Sequence, residues 1–487
     1  MVRNRILLAV FITASYLFFC AVQTFPRLNA DDQSPPQQSK SDPADRTDPP
    51  YRTLSHGVHP GSADGVESRV ADIALYERAV GQEVAFVYFT QELNKNWLER
   101  KDEGTDPLFP EAQVEEIRRH GAIPFIRLMV RSRDKKNEDK NHEKLYSYSV
   151  LLGEAGLKGD ELKHSQQFQE RMAAWGAAAA KYDFPIYVEW GTEVNGKWFW
   201  WNGKWYAERE CEKNRRSRES KGACLERVLP QAPRKFQEVF RHMRRLVNVE
   251  GKAANVRWIF HVTASSDPEP QANGENAWNG MAKYYPEGAV DAVGVSVYGA
   301  QTRSEPCAGD EYSFTTQMNQ LTEGRNRPGA EGPVRPDEDT LKKIDKAIPI
   351  YILEFGETLL VAGSDNADSN CNAGKWAREA LAAMFHPGNW ADYNLAGFSW
   401  WNEAWVDDDD GITDMRVHDF QLCDPRDKGD KKVDGMRCDC WRVPGEGCEN
   451  LSKKRADLRE AFRKSLEDRR GYVITSAPES FGNKRLR

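Results

Sequence analysis

The segment 186–201 reads IYVEWGTEVNGKWFWW and joins a short apolar run to a polar and aromatic continuation. The apolar run, Ile186–Trp190, is rich in β-branched and aromatic residues and does not alternate cleanly between apolar and polar positions. That pattern is typical of a strand buried on both faces of a parallel sheet. Polar residues directly after such a strand indicate its carboxyl end, where α/β proteins carry their functional groups.

Seven other stretches repeat this strand-like pattern, and amphipathic segments that read as helices lie between them. Eight strand–helix units match a (β/α)8 TIM barrel, with loop insertions that disulfides brace. A doubly wound open sheet is the alternative, but no glycine-rich phosphate-binding turn follows an early strand to support it. The predicted strands are Ser55–His59, Val84–Phe89, Ile123–Met129, Ile186–Trp190, Val256–His261, Ala292–Val297, Ile348–Glu354 and Leu395–Trp401. The predicted helices include Glu67–Val80, Gln166–Tyr182, Pro233–Val249, Lys375–Phe385 and Lys453–Glu467.

The composition excludes several classes of protein. The chain of 487 residues has 68 basic and 75 acidic side chains, a net charge of −7, which argues against a nucleic-acid partner. It is also rich in aromatic residues, with 15 Trp, 16 Tyr and 21 Phe. Such side chains suit a cleft for flat apolar faces, sugar rings among them. Nothing in the sequence indicates an obligate partner, so we expect a monomer.

The N-terminus predicts export. Two arginines in Met1–Arg5 precede the uncharged apolar run Ile6–Val22, which is the plan of a secretory signal. The run is also close to the shortest length of a membrane span, so an uncleaved anchor that tethers the protein to the membrane is the alternative. We therefore predict a signal or anchor at 1–30, a Pro/Asp/Ser linker at 31–51, a folded catalytic domain at 52–470 and a polar tail at 471–487.

The cysteines agree with an exported, secreted or periplasmic protein. Cys20 lies in the signal, and the eight others form an even set, as expected for disulfides in an oxidising compartment. We expect Cys211 and Cys224 to close one loop and the four cysteines of the range Cys423–Cys448 to brace another. Zinc is disfavoured, because no histidine lies at ligand spacing from the pair Cys438 and Cys440.

Two glutamates stand at the predicted ends of nearly opposite strands. Glu193 follows the fourth strand and Glu354 ends the seventh, and four aromatic residues at Trp198–Trp201 follow the first of these glutamates. Two carboxyl groups facing each other across a cleft are what hydrolysis of a glycosidic bond requires, one protonated and one ionised. The aromatic run would supply stacking surfaces for sugar rings.

Three stretches resemble the family-26 glycoside hydrolases of the β-mannanase type. They are Glu193–Gly196 with the Trp-rich run behind it, Val290–Tyr298 and Ile352–Gly356. The resemblance extends over roughly Ser55–Trp405. It implies a (β/α)8 barrel and a retaining double displacement, with Glu193 as acid/base, Glu354 as nucleophile and Tyr298 hydrogen-bonded to the nucleophile. For retention the two carboxyl groups should lie about 5–5.5 Å apart.

The sequence departs from the family where a histidine usually precedes the acid/base, because that position is Thr192. His261, at the end of the fifth strand, is our candidate to fill part of that space. The other candidate substrate-binding residues are Trp198, Trp201 and Asn195 beside the acid/base, and Trp400 or Trp401 as the floor under the sugar. Alternate residues of a strand face opposite ways, so one of the last two is expected to lie in the core.

No cofactor or metal is expected, because two carboxyl groups meet the charge that develops in the reaction. The acidic run Asp407–Gly411 lacks the spacing and closing glutamate of a calcium loop, and we interpret it as a solvated loop. The predicted function is an exported retaining glycosidase acting on a β-mannan type of polysaccharide. The alternatives are the same chemistry on β-1,3-xylan, mixed-linkage β-glucan or an exopolysaccharide, and a glycan-binding barrel without activity.

Overall fold

Eight parallel strands close into one barrel, and their order around it is the order of the chain. Strand eight pairs with strand one in a register that runs from Ser55 opposite Gly397 to His59 opposite Trp401. This closure, with helices between the strands, confirms the predicted (β/α)8 TIM barrel. The strands are β1 (Leu54–His59), β2 (Phe86–Glu92), β3 (Ile123–Met129), β4 (Ile186–Trp190), β5 (Val256–Thr263), β6 (Ala292–Tyr298), β7 (Ile350–Gly356) and β8 (Leu395–Trp401). The computed structural model describes residues 51–61, 73–99, 107–130, 146–271, 274–301, 312–325, 335–360, 372–407, 411–417 and 448–476.

Helices lie between the strands and cover the outside of the barrel. Their ends follow ordinary capping chemistry: the side chain of Ser313 accepts a hydrogen bond from the backbone N–H of Thr316, and the same helix ends at Gly324 in a left-handed conformation. The helices are α1 (Ile73–Val80), α2 (Lys95–Leu98), α3 (Glu111–Arg119), α4 (Tyr148–Leu152), α5 (Gly159–Ala179), α6 (Gly203–Asn214), α7 (Lys221–Val228), α8 (Ala232–Arg244), α9 (Met281–Tyr284), α10 (Phe314–Glu323), α11 (Ala373–Phe385) and α12 (Cys448–Glu467). A π-helical turn, Arg245–Glu250, continues α8.

Aromatic side chains fill the barrel near the amino-terminal ends of its strands. Phe86 and Phe125 stack with 4.4 Å between ring centroids, Phe125 and Tyr187 stack at 4.3 Å, and Tyr351 meets Phe125 edge-on at 5.2 Å. Gly57 makes room for them, because a Cβ at this position would lie 2.3 Å from the ring of Phe86. This end of the barrel is therefore a packed core, and the polar residues of the interior lie toward the other end.

The segment between β4 and β5 contains the helical pair α6 and α7, which a disulfide joins. Cys211 and Cys224 are joined, as the sequence predicts, and both side chains are buried. The exposed basic run Arg215–Arg218 lies between the two helices. The remaining cysteines expected in disulfides, Cys307, Cys371, Cys423, Cys438, Cys440 and the side chain of Cys448, lie outside the described residues.

A hairpin that the sequence analysis missed follows β8 and consists of β9 (Ala404–Asp407) and β10 (Gly411–Asp414). Asp414 is buried between the guanidinium groups of Arg416 and Arg455, at 2.7 Å and 2.5 Å. Burial alone would raise the pKa of Asp414, but the two positive charges outweigh it and hold that pKa well below its usual value. Because Arg455 belongs to α12, this ion cluster fastens the hairpin to the last helix.

We expect Asp414→Asn to lower the free energy of unfolding by about 3–5 kcal/mol, because it leaves two buried cations without their counter-charge. Urea denaturation at pH 7 measures the loss. The depressed pKa of Asp414 contributes stability that is present above the unfolded-state value of about 3.9 and is lost as the pH falls. The difference between wild type and variant should therefore shrink on acidification. Asp183→Asn, which breaks the exposed pair with Arg118, is the control and should change stability little.

Two parts of the predicted domain plan bear on the chain ends. Residues of the predicted polar tail, Val473 and Ile474, form a short strand β11 that pairs in parallel with Leu54 and Ser55 of β1. The predicted signal or anchor at 1–30 and most of the linker at 31–51 lie outside the described residues. Among the residues that the structure describes, no helix has the length and apolar character needed to cross a membrane.

Candidate active site

One layer above the aromatic core, each of the eight strands contributes one side chain to a connected polar layer. The alternation of a strand explains three of them directly: Phe86, Phe125 and Tyr187 of the core are each followed two positions later by a residue of this layer. Contacts that join the layer include ring stacking, hydrogen bonds and ion pairs. Its members, from β1 to β8, are His59, Tyr88, Arg127, Glu189, His261, Ser296, Glu354 and Trp401.

The turn after β4 carries Glu193 over this layer. Gly191 has φ of 76°, and a Cβ there would lie 2.4 Å from the ring of Phe236, so only glycine fits. Glu193 itself has φ of 49°, an uncommon conformation for a residue with a side chain. Such backbone strain persists where the surrounding structure fixes it, and it is frequent at functional sites.

The carboxyl group of Glu193 is buried and held by two donors. The indole Nε1–H of Trp198 donates to Oε2 at 2.7 Å, and the hydroxyl of Ser296 makes a second side-chain hydrogen bond. Burial, and after it the negative charge of Glu354, raise the pKa of Glu193 to about 7. Glu193 can therefore hold a proton near neutral pH and release it, which is what a general acid must do.

The carboxyl group of Glu354 meets donors on both oxygens. The hydroxyl of Tyr298 donates to Oε2 at 3.0 Å, the hydroxyl of Tyr88 lies 3.2 Å from Oε1, and Nη1 of Arg127 lies 3.5 Å from the same oxygen. Burial and the charge of Glu354 raise the pKa of both tyrosines well above the ordinary value, so they stay protonated donors. These donors and the nearby cation fix the orientation of the carboxyl group.

A second buried ion pair lies beneath these two glutamates. Oε2 of Glu189 lies 2.7 Å from Nδ1 of His261, and both residues are fully buried. Burial alone would raise the pKa of Glu189 and lower that of His261. The positive charge of His261 outweighs the effect of burial on Glu189, so the pKa of Glu189 is lowered. The negative charge of Glu189 likewise outweighs the effect of burial on His261, so the pKa of His261 is raised. The charges of Glu189 and His261 therefore balance each other, and the guanidinium of Arg127 is a further cation in this interior.

Three of these residues present ligand atoms that could hold a metal ion. The ligand atoms of Glu189, His261 and Glu354 lie within 4.8 Å of one another. The guanidinium of Arg127 lies 3.9 Å from Glu189 and 3.5 Å from Glu354, and His261 is already paired with Glu189. A cation would have to displace or oppose these positive groups, so the arrangement fits a protein ion cluster better than a metal centre.

Thr192 takes part in the same cluster. Its hydroxyl makes a short hydrogen bond to Oε1 of Glu189 and lies 3.3 Å from Nε of Arg127. The side chain is fully buried, so it extends from the position before Glu193 into the barrel and offers nothing to a ligand.

Four of the predicted substrate-binding residues lie away from the cleft. Trp400 is packed on the outer face of β8 against Phe462 of α12, and Trp201 is buried with its indole N–H donating to the carbonyl of Thr192. His261 is fully buried with both ring nitrogens engaged, and Asn195 is buried with its side chain bonded to Thr263 and Ser266. The side chains of Trp201, His261 and Asn195 have no access to a ligand, because they are fully enclosed. The burial of Trp400 is the outcome expected for one residue of the pair Trp400 and Trp401.

The remaining predicted residues lie together at the carboxyl ends of the strands. Trp198 is 49% exposed beside Glu193, and Tyr298 and Glu354 are hydrogen-bonded to each other. Trp401 faces the barrel interior, where it stacks on His59 at 3.8 Å between centroids. The guanidinium of Arg127 lies over the Trp401 ring at 5.4 Å.

The sequence analysis missed four residues of the site: Tyr88, Arg127, Glu189 and Ser296. Two of them carried a usable signal, since Arg127 and Glu189 are charged residues inside otherwise apolar strands. A charge on a strand buried on both faces must be paired, and the pairing partners are therefore expected in the same interior. Tyr88 and Ser296 carry no such signal.

Neither a protein-family model nor a curated protein sequence matches the chain. Among solved structures, the catalytic domain of the GH26 endo-β-1,4-mannanase of Bacillus sp. JAMB-750 is similar at 14% identity, covering 90% of each chain with a TM-score of 0.48. The Bacillus subtilis mannanase BCman is similar at 14% identity over 72% of this chain and 81% of that chain, with a TM-score of 0.42. A modular endo-β-1,4-mannanase of Cellulomonas fimi is similar at 14% identity over 89% of this chain and 74% of that chain, with a TM-score of 0.45. Such low identities describe a likeness of fold, and no activity follows from them.

Proposed function

We propose that this protein is a retaining glycoside hydrolase that cleaves a β-linked polysaccharide of the β-mannan type. Glu193 donates its proton to the leaving oxygen while the carboxylate of Glu354 attacks the anomeric carbon and forms a covalent glycosyl intermediate. Glu193, now ionised, then takes a proton from the water that hydrolyses this intermediate. Tyr298, Tyr88 and Arg127 contact both oxygens of Glu354 and aim its carboxylate in the first step.

The observation that carries this proposal is the contrast between two neighbouring buried carboxyl groups. The pKa of Glu193 is raised to about 7 by burial and by the charge of Glu354, whereas Glu354 is surrounded by donors and a cation. Environments that separate the protonation states of two facing carboxyl groups define an acid and a nucleophile. The exposed indole of Trp198, bonded to Glu193, and the ring of Trp401, which lies beside Arg127, would serve as surfaces for a sugar.

We also propose that the protein acts outside the cytoplasm, secreted, periplasmic or tethered to the outer face of a membrane. The basic and apolar N-terminus supports export. The disulfide between Cys211 and Cys224 supports it independently, because disulfides persist in oxidising compartments.

The direct test is release of reducing sugar by the purified full chain across mannans, β-1,3-xylan, mixed-linkage β-glucan and exopolysaccharides. We expect release from mannan. The panel is broad because Thr192 offers no side chain to a sugar at the position before the acid/base. Glu226→Gln, a change at an exposed glutamate on α7, is the matched control and should retain full activity. A folded wild-type protein that binds glycan and cleaves none would refute the hydrolase and leave a binding barrel.

Retention is tested separately by following the anomeric proton of the first product in real time by NMR. A double displacement gives a product with the configuration of the substrate, which mutarotates only later. Initial appearance of the opposite anomer would mean a single displacement by water and would remove Glu354 as nucleophile.

Two substitutions of Trp198 distinguish its stacking on a sugar from its effect on the pKa of Glu193. Trp198→Phe keeps a ring but loses the indole donor whose hydrogen bond lowers the pKa of Glu193. We expect the alkaline limb of the kcat/KM profile to move to higher pH with little change in KM. Trp198→Ala should additionally raise KM by about 10-fold through lost stacking. Equal KM values in the two variants would rule out the stacking role.

A further inference from the structure

The hydroxyl of Ser296 joins the buried ion pair to the carboxyl group of Glu193. Its oxygen lies 2.9 Å from Nε2 of His261 and makes a side-chain hydrogen bond with Glu193. The other ring nitrogen of His261 lies 2.7 Å from Oε2 of Glu189. Glu189, His261 and Ser296, from the neighbouring strands β4, β5 and β6, therefore form one buried chain that leads to Glu193.

A carboxylate, a histidine and a serine in this order activate the serine as a nucleophile in acyl-transfer enzymes. Two observations exclude that role for this chain. Ser296 is 1% exposed and cannot approach a substrate carbonyl. His261 is also enclosed by the carboxyl groups of Glu189, Glu354 and Glu193, which favour its protonated form, and a protonated histidine cannot accept the serine proton.

The protonation of His261 decides the direction of every hydrogen bond in the chain. A protonated imidazole donates from both nitrogens, so Nδ1–H bonds to Glu189 and Nε2–H bonds to the oxygen of Ser296. The single proton of Ser296 is then free to be donated to Glu193. A neutral imidazole that donates to Glu189 would instead accept at Nε2, and the proton of Ser296 would turn away from Glu193.

We propose that Glu189 and His261 are positioning residues that act through Ser296, holding its hydroxyl as a donor to the acid/base Glu193. In the second step of the proposed hydrolysis the donated hydrogen bond stabilises Glu193 as an anion ready to accept a proton from water. The catalytic role in this proposal rests on the proposed function, whereas the test of the hydrogen-bonded chain does not require that the protein cleaves a glycan.

Other charged groups also face these residues, and the direct effect of the His261 charge on Glu193 has to be separated from the relay. Glu193 faces Glu354 of β7, Tyr298 of β6 and Arg127 of β3, and His261 also faces Tyr88 of β2. By direct Coulomb interaction, Glu189→Gln removes a negative charge and would lower the pKa of Glu193. Loss of the His261 proton, which follows when this buried residue loses its counter-ion, raises that pKa in two ways: the direct positive charge near Glu193 disappears, and Ser296 turns away.

The indole of Trp198 provides a readout that needs no substrate, since its N–H donates to Glu193. The NMR signal of this N–H, assigned with Trp198→Phe, should titrate with Glu193 in the full chain. We expect Glu189→Gln, His261→Gln and Ser296→Ala each to move the titration midpoint upward by about one pH unit. Ser296→Thr retains the hydroxyl and should titrate near wild type. Glu189→Gln should raise the midpoint less in the Ser296→Ala background than in wild type, because only the direct charge of His261 is then lost.

A downward shift in Glu189→Gln, or an equal upward shift when Ser296 is already alanine, would overturn the relay. Should the Glu189 variant not fold, Ser296→Ala against Ser296→Thr decides, and equal midpoints in these two would also overturn it. Cleavage assays on the same proteins keep the two proposals apart. The midpoints test the relay whether or not a glycan is cleaved, and cleavage that survives in Glu354→Gln counts only against the hydrolase.

Discussion

Glu354→Gln is expected to reduce hydrolysis of the natural glycan by at least about 10⁴-fold, the scale on which a unit of catalytic groups fails when one member is lost. An amide cannot form the covalent glycosyl intermediate, and it does not supply the negative charge that stabilises a developing oxocarbenium ion. Folding should be preserved, because the amide oxygen can still accept hydrogen bonds from Tyr298 and Tyr88. Glycan binding should also survive, because the site keeps its shape when these hydrogen bonds are retained.

The measurement is kcat/KM on the glycan that wild type cleaves, with binding measured by isothermal titration calorimetry. Glu357→Gln is the matched control at the same end of β7. Burial raises the pKa of Glu357 to about 8, so the neutral glutamine reproduces the protonated side chain that is present at pH 7. We expect its activity to remain close to wild type. Equal losses of kcat/KM in the two variants would contradict the role of Glu354 as the nucleophile.

Glu193→Gln should slow cleavage of the natural glycan by about 10²–10⁴-fold, the usual contribution of a general acid. The loss should depend on the leaving group. An aryl glycoside whose phenol leaves without protonation should form the glycosyl intermediate at a nearly normal rate, and the intermediate should then accumulate because no base assists water. A burst of phenol followed by a slow steady state is the expected trace.

The pH profile gives a second signature of Glu193. Because its pKa is raised to about 7, wild-type kcat/KM should fall as the pH rises through that value and Glu193 loses its proton. This alkaline limb should be absent in Glu193→Gln, since glutamine does not ionise. An unchanged limb in the variant would assign the titration to another group and remove Glu193 as the acid.

The strands were predictable because burial on both faces leaves long apolar runs that nothing else in the chain resembles. Ile123–Met129, Ile186–Trp190 and Leu395–Trp401 have the predicted bounds. The seventh strand begins at Ile350 and ends at Gly356, so both of its ends lie two residues later in the chain than predicted. Such ends depend on the register with neighbouring strands, which a single stretch of sequence does not contain.

The site was only partly predictable, for a related reason. Glu193 and Glu354 could be found because each lies at the end of a recognisable strand, but the groups that surround them come from four other strands, β2, β3, β5 and β6. The choice between Trp400 and Trp401 depends on which set of alternate residues of β8 faces the barrel interior. The sequence does not decide this, because the strand is largely apolar on both faces. Asn195 was proposed as a ligand contact because it is close in sequence to Glu193. In the structure its side-chain amide donates instead to Thr263 and Ser266, at the end of β5 and in the loop after it.

The seam of the barrel has a consequence for how the protein is made. His59 of β1 stacks on Trp401 of β8, and the backbone N–H of Asn402 donates to the carbonyl of His59 at 2.8 Å. The first and last barrel strands thus meet in the floor of the proposed cleft, about 340 positions apart along the chain. A nascent chain that has not yet emerged beyond Leu395 lacks this floor, however well its earlier strands have paired. The proposed activity on a polysaccharide would then be acquired only after the chain through Trp401 has been made, and in refolding it should return only once β8 has paired with β1.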